Sequence, residues 1–167
     1  LEAAAEYART NKIQLSVHAM GDRAVGRIID FFEDQTPWLE DRPSVRIEHA
    51  TFLNEAQLAR MNASAMRFGV TTQVIFPYAE IEGYRAVLAP KDLERVYPVR
   101  TVSSALDAFA LSSDAPATAW ADPDDPFVSM GAAVTRTAWD GTVFNRSEAV
   151  SCEEAVSLYT SRPMKGL

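Results

Sequence analysis

The chain has 167 residues, enough for one domain with its own core, and its 47% hydrophobic and 23% charged content is that of an ordinary soluble globular protein. With 23 acidic against 16 basic residues the net charge is −7 and no basic stripe runs along the chain, so nucleic acid is not an expected partner. No apolar run approaches the ~20 residues that span a bilayer, and the single Cys152 excludes both an intrachain disulfide and a cysteine-cluster zinc site.

The chain opens on Leu1-Glu2-Ala3, without a Met, in what reads as the middle of a helix. We therefore expect a piece of a longer protein. Residues 13–17 form a short apolar-rich strand that ends at His18. Asp22 to Glu33 then reads as a helix, because Val25, Ile28, Ile29 and Phe32 fall on one face, and Gly21-Asp22 supplies its turn and N-cap. After a loop bracketed by Pro37 and Pro43, Val45 to His49 forms a second strand. Asn54, with Gln57 three residues on, caps a helix expected to run to about Phe68 with Gly69 as its C-cap.

Val70 to Phe76 is read as a third strand stopped by Pro77, and Phe109 to Ser113 as a fourth stopped by Asp114-Ala115-Pro116. Ser151-Cys152-Glu153-Glu154 is a capping box that opens a last helix through Tyr159. Strands that alternate with helices, joined by crossovers too long for hairpins, imply a parallel sheet. The 31 residues between His18 and His49 match the roughly 31 per unit of an eightfold barrel, although an open doubly wound sheet allows the same spacing. Two stretches are irregular, 78–100 and 120–144. Both leave strand carboxyl ends, where they serve either as substrate lids or as packing insertions.

The chain has two histidines, and each falls at the expected end of a strand; Asp114 holds the same place after the fourth. Alone, a histidine at a strand end is more often a hydrogen-bonded structural residue, and an aspartate in a Pro-containing turn is more often a cap. Three strand ends of a parallel barrel share one mouth, however. Two imidazoles and a carboxylate there can hold a borderline metal such as zinc.

The motifs His18-Ala19-Met20-Gly21-Asp22-Arg23-Ala24, Arg46-Ile47-Glu48-His49-Ala50 and Ser113-Asp114-Ala115-Pro116 resemble successive motifs of the amidohydrolase superfamily, in the branch called amidohydrolase family 3. Arg95 to Arg100, Asp125-Pro126-Phe127, Ala133-Val134-Thr135-Arg136 and Glu153 to Thr160 continue the likeness in order. The resemblance implies a partial (β/α)8 TIM barrel, with residues 1–167 as its C-terminal portion, strands five to eight. It implies a metal-dependent hydrolase of C–N bonds, with one or two divalent ions, zinc foremost, and a small substrate with an amide-type bond. His18 and His49 would be the metal ligands of strands five and six. Asp114 would be the strand-eight carboxylate, a ligand that also takes a proton from the attacking water and passes it to the leaving group.

The family's His-x-His pair is not in this chain and belongs upstream of Leu1, so the chain alone is expected to be inactive. Phe76 stands before Pro77 where the family commonly has Gln, and Ala108 stands where it commonly has Gly, so the substrate is expected to differ from those of known members. Arg23 could reach a substrate carboxylate or form an ion pair, Glu48 is expected to pair with a basic residue behind the barrel, and Tyr78 and Trp120 either line a pocket or pack their loops down. The alternative function is a barrel-derived binding or regulatory protein without catalysis, in which two copies could pair along their strand edges. A doubly wound nucleotide-binding domain is disfavoured, because no glycine-rich phosphate loop is present. One Cys and no membrane segment place the protein in the cytoplasm as an expectation.

Overall fold

A computed structural model describes residues 1–117 and 124–163. Its elements, in chain order, are α1 (Glu2–Asn11), β1 (Leu15–Ala19), α2 (Asp22–Phe32), β2 (Val45–His49), α3 (Glu55–Ala63), β3 (Phe68–Thr72), α4 (Ile75–Ala79), α5 (Ile81–Val87), α6 (Pro90–Leu93), α7 (Val99–Ala105), β4 (Phe109–Leu111), α8 (Pro126–Thr135) and α9 (Cys152–Tyr159).

The four strands form one parallel sheet in the order β1-β2-β3-β4. Sequence neighbours are spatial neighbours throughout. A doubly wound sheet reverses direction at a switch point, and this sheet has none. The architecture is therefore α/β, with the strand order of a partial (β/α)8 barrel.

Register separates the two faces. Laterally paired residues of parallel strands share a face, so Ser16, Arg46 and Gly69 lie in one row and His18, Glu48, Thr71 and Ala110 in the next. The opposite face carries Val45, Ile47, Phe68, Val70 and Phe109, all buried under the helices. The Val25, Ile28, Ile29 and Phe32 stripe of α2 is buried as its spacing requires. Burial of each such side chain stabilises the fold by about 1.5–3 kcal/mol.

The Asn54 capping box is complete: Asn54 Oδ1 accepts from the Gln57 backbone N–H at 3.0 Å, and Gln57 Oε1 accepts from that of Asn54 at 3.1 Å. At α9 only half the expected box forms. Ser151 Oγ accepts from Glu154 N–H at 3.1 Å, while the Glu154 carboxylate turns to the Ser103 hydroxyl on α7. At α2 the N-cap is Gly21, and Asp22 is the first helical residue, its Oδ1 accepting from Arg23 N–H at 2.7 Å.

Two further boundaries differ from expectation. The helix after Asn54 stops at Ala63, and Ser64 supplies the stop: its Oγ donates to Glu33 O at 2.8 Å and accepts from Met66 N–H at 2.9 Å. Gly69 is thereby a strand residue of β3 rather than a cap. The third strand ends at Thr72, and Pro77 lies in the first turn of α4, where a helix has no use for the missing N–H. The apolar run 74–76 continues from strand into helix without a polar break, which hides the boundary. The irregular stretch 78–100 holds α5 and α6, and the stretch 120–144 holds α8; Trp120 lies outside the described residues, as does Met164.

Candidate metal centre

The carboxyl end of β2 turns through backbone geometry that side chains rarely adopt. His49 and Ala50 are both left-handed, with φ of 71° and 47°. Such positions cost on the order of 1–3 kcal/mol each and persist only where surrounding bonds impose them. Here Ala50 N–H donates to Ala19 O at 3.0 Å, the Thr72 hydroxyl donates to His49 O at 2.6 Å, and Phe52 N–H donates to Met20 O at 3.0 Å. The His49 ring consequently meets His18 edge to face, with centroids 4.5 Å apart and planes at 71°.

His18 is the penultimate residue of β1 rather than the last, and it is exposed on the face it shares with Glu48. His49 is the last residue of β2 and is 7% exposed. Asp114 stands three residues beyond the end of β4, itself left-handed at φ 53°, with Oδ2 3.9 Å from His49 Nε2 and a side chain 45% exposed. The three expected site residues are thus at one mouth, with His49 between the other two.

Burial, and then the neighbouring His18, lower the pKa of His49; Asp114, Glu48 and Gln73 act weakly the other way. The ring is therefore neutral at pH 7, the form in which imidazole ligates metal. Its Nδ1 is buried without a hydrogen-bond partner, as is Gln73 Oε1. A buried nitrogen lone pair or N–H without a partner costs about 1–3 kcal/mol unless a ligand satisfies it. Two imidazoles and a carboxylate are a donor set suited to a divalent metal, so the residues present fit such a group. The set is open rather than closed: among the described residues no group of three or more His, Cys, Asp or Glu side chains surrounds a single point.

Arg23 is exposed near the start of α2, and no ion pair among the described residues includes it. Glu48 does pair with a basic residue, but on the sheet face it shares with His18 rather than behind it. Its Oε1 lies 2.6 Å from Arg46 Nε and accepts from the Ser16 hydroxyl at 2.5 Å. Tyr78 is half-buried and packs against the core. Phe76, the residue that departs from the family pattern, sits with its ring 5.8 Å from that of His49.

Sequence reasoning assigned no role to Tyr97 or Arg136. Tyr97 is fully buried, its hydroxyl 2.8 Å from that of Tyr84. Burial is the main cause pushing its pKa up to about 12, and the Asp114 charge adds to the rise. Arg136 is also fully buried. Its guanidinium donates to the carbonyls of Asn145 (3.2 Å), Val96 (3.0 Å) and Tyr97 (3.0 Å) and lies 4.7 Å from the Phe144 ring centroid. Burial lowers its pKa to about 10, which still leaves it charged at neutral pH. Both residues lie inside motifs that carry the family resemblance, which was the available signal; their roles depend on chain crossings that spacing does not encode.

A parallel barrel-type sheet with imidazoles and a carboxylate at its carboxyl ends defines a class: α/β barrel proteins that work at the strand-end mouth. The chain is similar to an uncharacterized metal-dependent hydrolase of Pyrococcus furiosus, with a TM-score of 0.70 at 28% identity, covering 95% of this chain and 30% of that one. A metal-dependent hydrolase of Pyrococcus horikoshii shares the fold, with a TM-score of 0.75 at 24% identity and the same coverages of 95% and 30%. An N-substituted formamide deformylase of Arthrobacter pascens is 26% identical over 151 residues, 90% of this chain and 27% of that protein. The family model described as the amidohydrolase family matches residues 1–166, and the chain belongs to that family. It spans less than a third of the length of these relatives. Among the described residues no helix is long and apolar enough to cross a membrane.

Proposed function

We propose that these residues are strands five to eight of a (β/α)8 barrel and that the whole protein hydrolyses C–N bonds of amide type with a divalent metal, zinc foremost. The observation that carries the reading is that His49, neutral and with its buried Nδ1 unpaired, lies against both His18 and Asp114 at the strand ends. His18 and His49 would hold the metal. When bound, it would supply acidity to water and polarise the substrate carbonyl.

The chain's own residues do the rest. Asp114 is exposed enough to meet solvent, so its Oδ2 accepts a proton from the attacking water and returns it to the leaving nitrogen. Gln73 is a positioning residue. Gln73 donates to Ser112 Oγ at 2.9 Å, which ties the segment after β3 to the segment that presents Asp114.

The test uses the full-length polypeptide that contains these residues. Asp114→Asn is expected to lower kcat about 100-fold or more while metal content stays close to that of the wild type, because a base is lost and the imidazoles remain. Loss of metal in proportion to activity would make Asp114 a ligand alone. The isolated 167-residue chain is expected to show no amidase activity, and turnover by it would contradict the half-site reading. Absence of amidase activity in a metal-loaded full-length protein would favour a non-catalytic binding protein.

A further inference from the structure

Two buried polar atoms at the strand ends lack partners, and they are complementary: Nδ1 of His49 and Oε1 of Gln73. The strand ends bring their side chains together. The Thr72 hydroxyl donates to His49 O at 2.6 Å, and Ser112 N–H donates to Thr72 O at 3.0 Å, so Gln73 follows a residue tied to both neighbouring strands. Gln73 is 1% exposed, and a buried amide finds its hydrogen bonds within the protein. One side of it is committed, because Nε2 donates to Ser112 Oγ at 2.9 Å. A planar amide that donates on one side presents its carbonyl on the other. Gln73 also acts on the His49 imidazole, raising its pKa weakly, as an acceptor from the ring N–H does.

A neutral imidazole carries one ring proton, and the hydrogen bond made at one nitrogen decides which nitrogen holds it. Nε2 of His49 is the nitrogen nearer Asp114, 3.9 Å from its Oδ2. It can offer a lone pair to a cation only when the proton sits on Nδ1. We propose that Gln73 sets the tautomer of His49: its Oε1 accepts from Nδ1–H, which keeps the proton off Nε2 and fixes the plane of the ring. Ser112 anchors the arrangement, because its Oγ orients the amide. The reverse orientation of the amide would turn its N–H groups towards Nδ1 and leave the ring proton on Nε2, beside Asp114. The inference rests on the proposed metal centre for its use, but the tautomer itself exists without metal.

The experiment therefore uses the metal-stripped full-length polypeptide and follows its imidazole nitrogens by NMR of labelled histidine, at alkaline pH where the rings are uncharged. The His49 signals are those lost in His49→Asn. Protonated and unprotonated ring nitrogens resonate far apart, so the tautomer is read directly. The expected result is a protonated Nδ1 in the wild type and in Gln73→Glu, which keeps an acceptor. In Gln73→Met, which has similar length and no acceptor, the ring should become mixed or protonated on Nε2. Zinc affinity, read by competition with a chelator, should fall about 10–100-fold in Gln73→Met and recover in Gln73→Glu. A wild-type ring protonated on Nε2, or a folded Gln73→Met variant with either the wild-type tautomer or the wild-type zinc affinity, would overturn the proposal. Nδ1 protonation in a protein that binds no zinc would sink the metal-centre reading alone; zinc held through His18 and His49, with the metal-free His49 ring protonated on Nε2, would sink the Gln73 assignment alone.

Discussion

His49 is the residue on which most of the local structure converges. Its burial, and then its neighbour His18, favour an uncharged ring. Its pKa in the folded state is depressed, so the unfolded chain binds the proton more readily. The stability that follows is present above the ordinary histidine value of about 6.5 and is lost as pH falls through the lower folded value. Metal-free protein should accordingly lose stability from pH 7 to pH 5, and His49→Asn should flatten that slope in denaturant titrations. An unchanged slope would show that the burial is relieved in solution. Arg136 is the second such residue. Arg136→Met removes three charge-assisted bonds to buried carbonyls, each of which keeps a second donor, and should cost about 3 kcal/mol, read from the denaturation midpoint. Arg136→Lys should recover little of it, since an ammonium cannot reproduce the planar fork.

At the scale of elements, the capping chemistry decides where helices begin, and it is testable at α3. Asn54→Ala removes one half of a complete capping box and should destabilise the protein by about 1 kcal/mol in the same titration. Ser151→Ala should cost about as much, because it likewise removes one cap bond. Element identity was legible where periodicity was strong, as in α2, or where caps were explicit, as in α3 and α9. It was illegible where the apolar run 74–76 passes from strand to helix, because α4 is one short turn with no polar face to give it a period. The stop of α3 was missed for a related reason. Ser64 ends the helix by bonding Glu33, 31 residues away in sequence, and Gly69 offered a false local signal.

At the scale of the whole molecule, strand alternation with helix was enough to give a parallel α/β sheet, and the observed order settles barrel over doubly wound. The imidazole–carboxylate mouth was legible because parallel strands put their carboxyl ends together by construction. The place of Gln73 beside it was not, since that depends on β3 stopping at Thr72, a boundary with no local sign in the sequence. Among the described residues β1 and β4 are the edge strands, and Ser16, Arg46, His18 and Glu48 share the sheet face opposite the buried apolar one. That polar side is what the inner face of a barrel would place against further strands. His18 and His49 are proposed as the metal ligands this chain contributes. Elemental analysis of the purified full-length polypeptide and of its His18→Ala and His49→Ala variants tests this most directly. Near-stoichiometric divalent metal is expected in the wild type, with its loss in both variants. Metal content unchanged in either variant, with the fold intact, would contradict it.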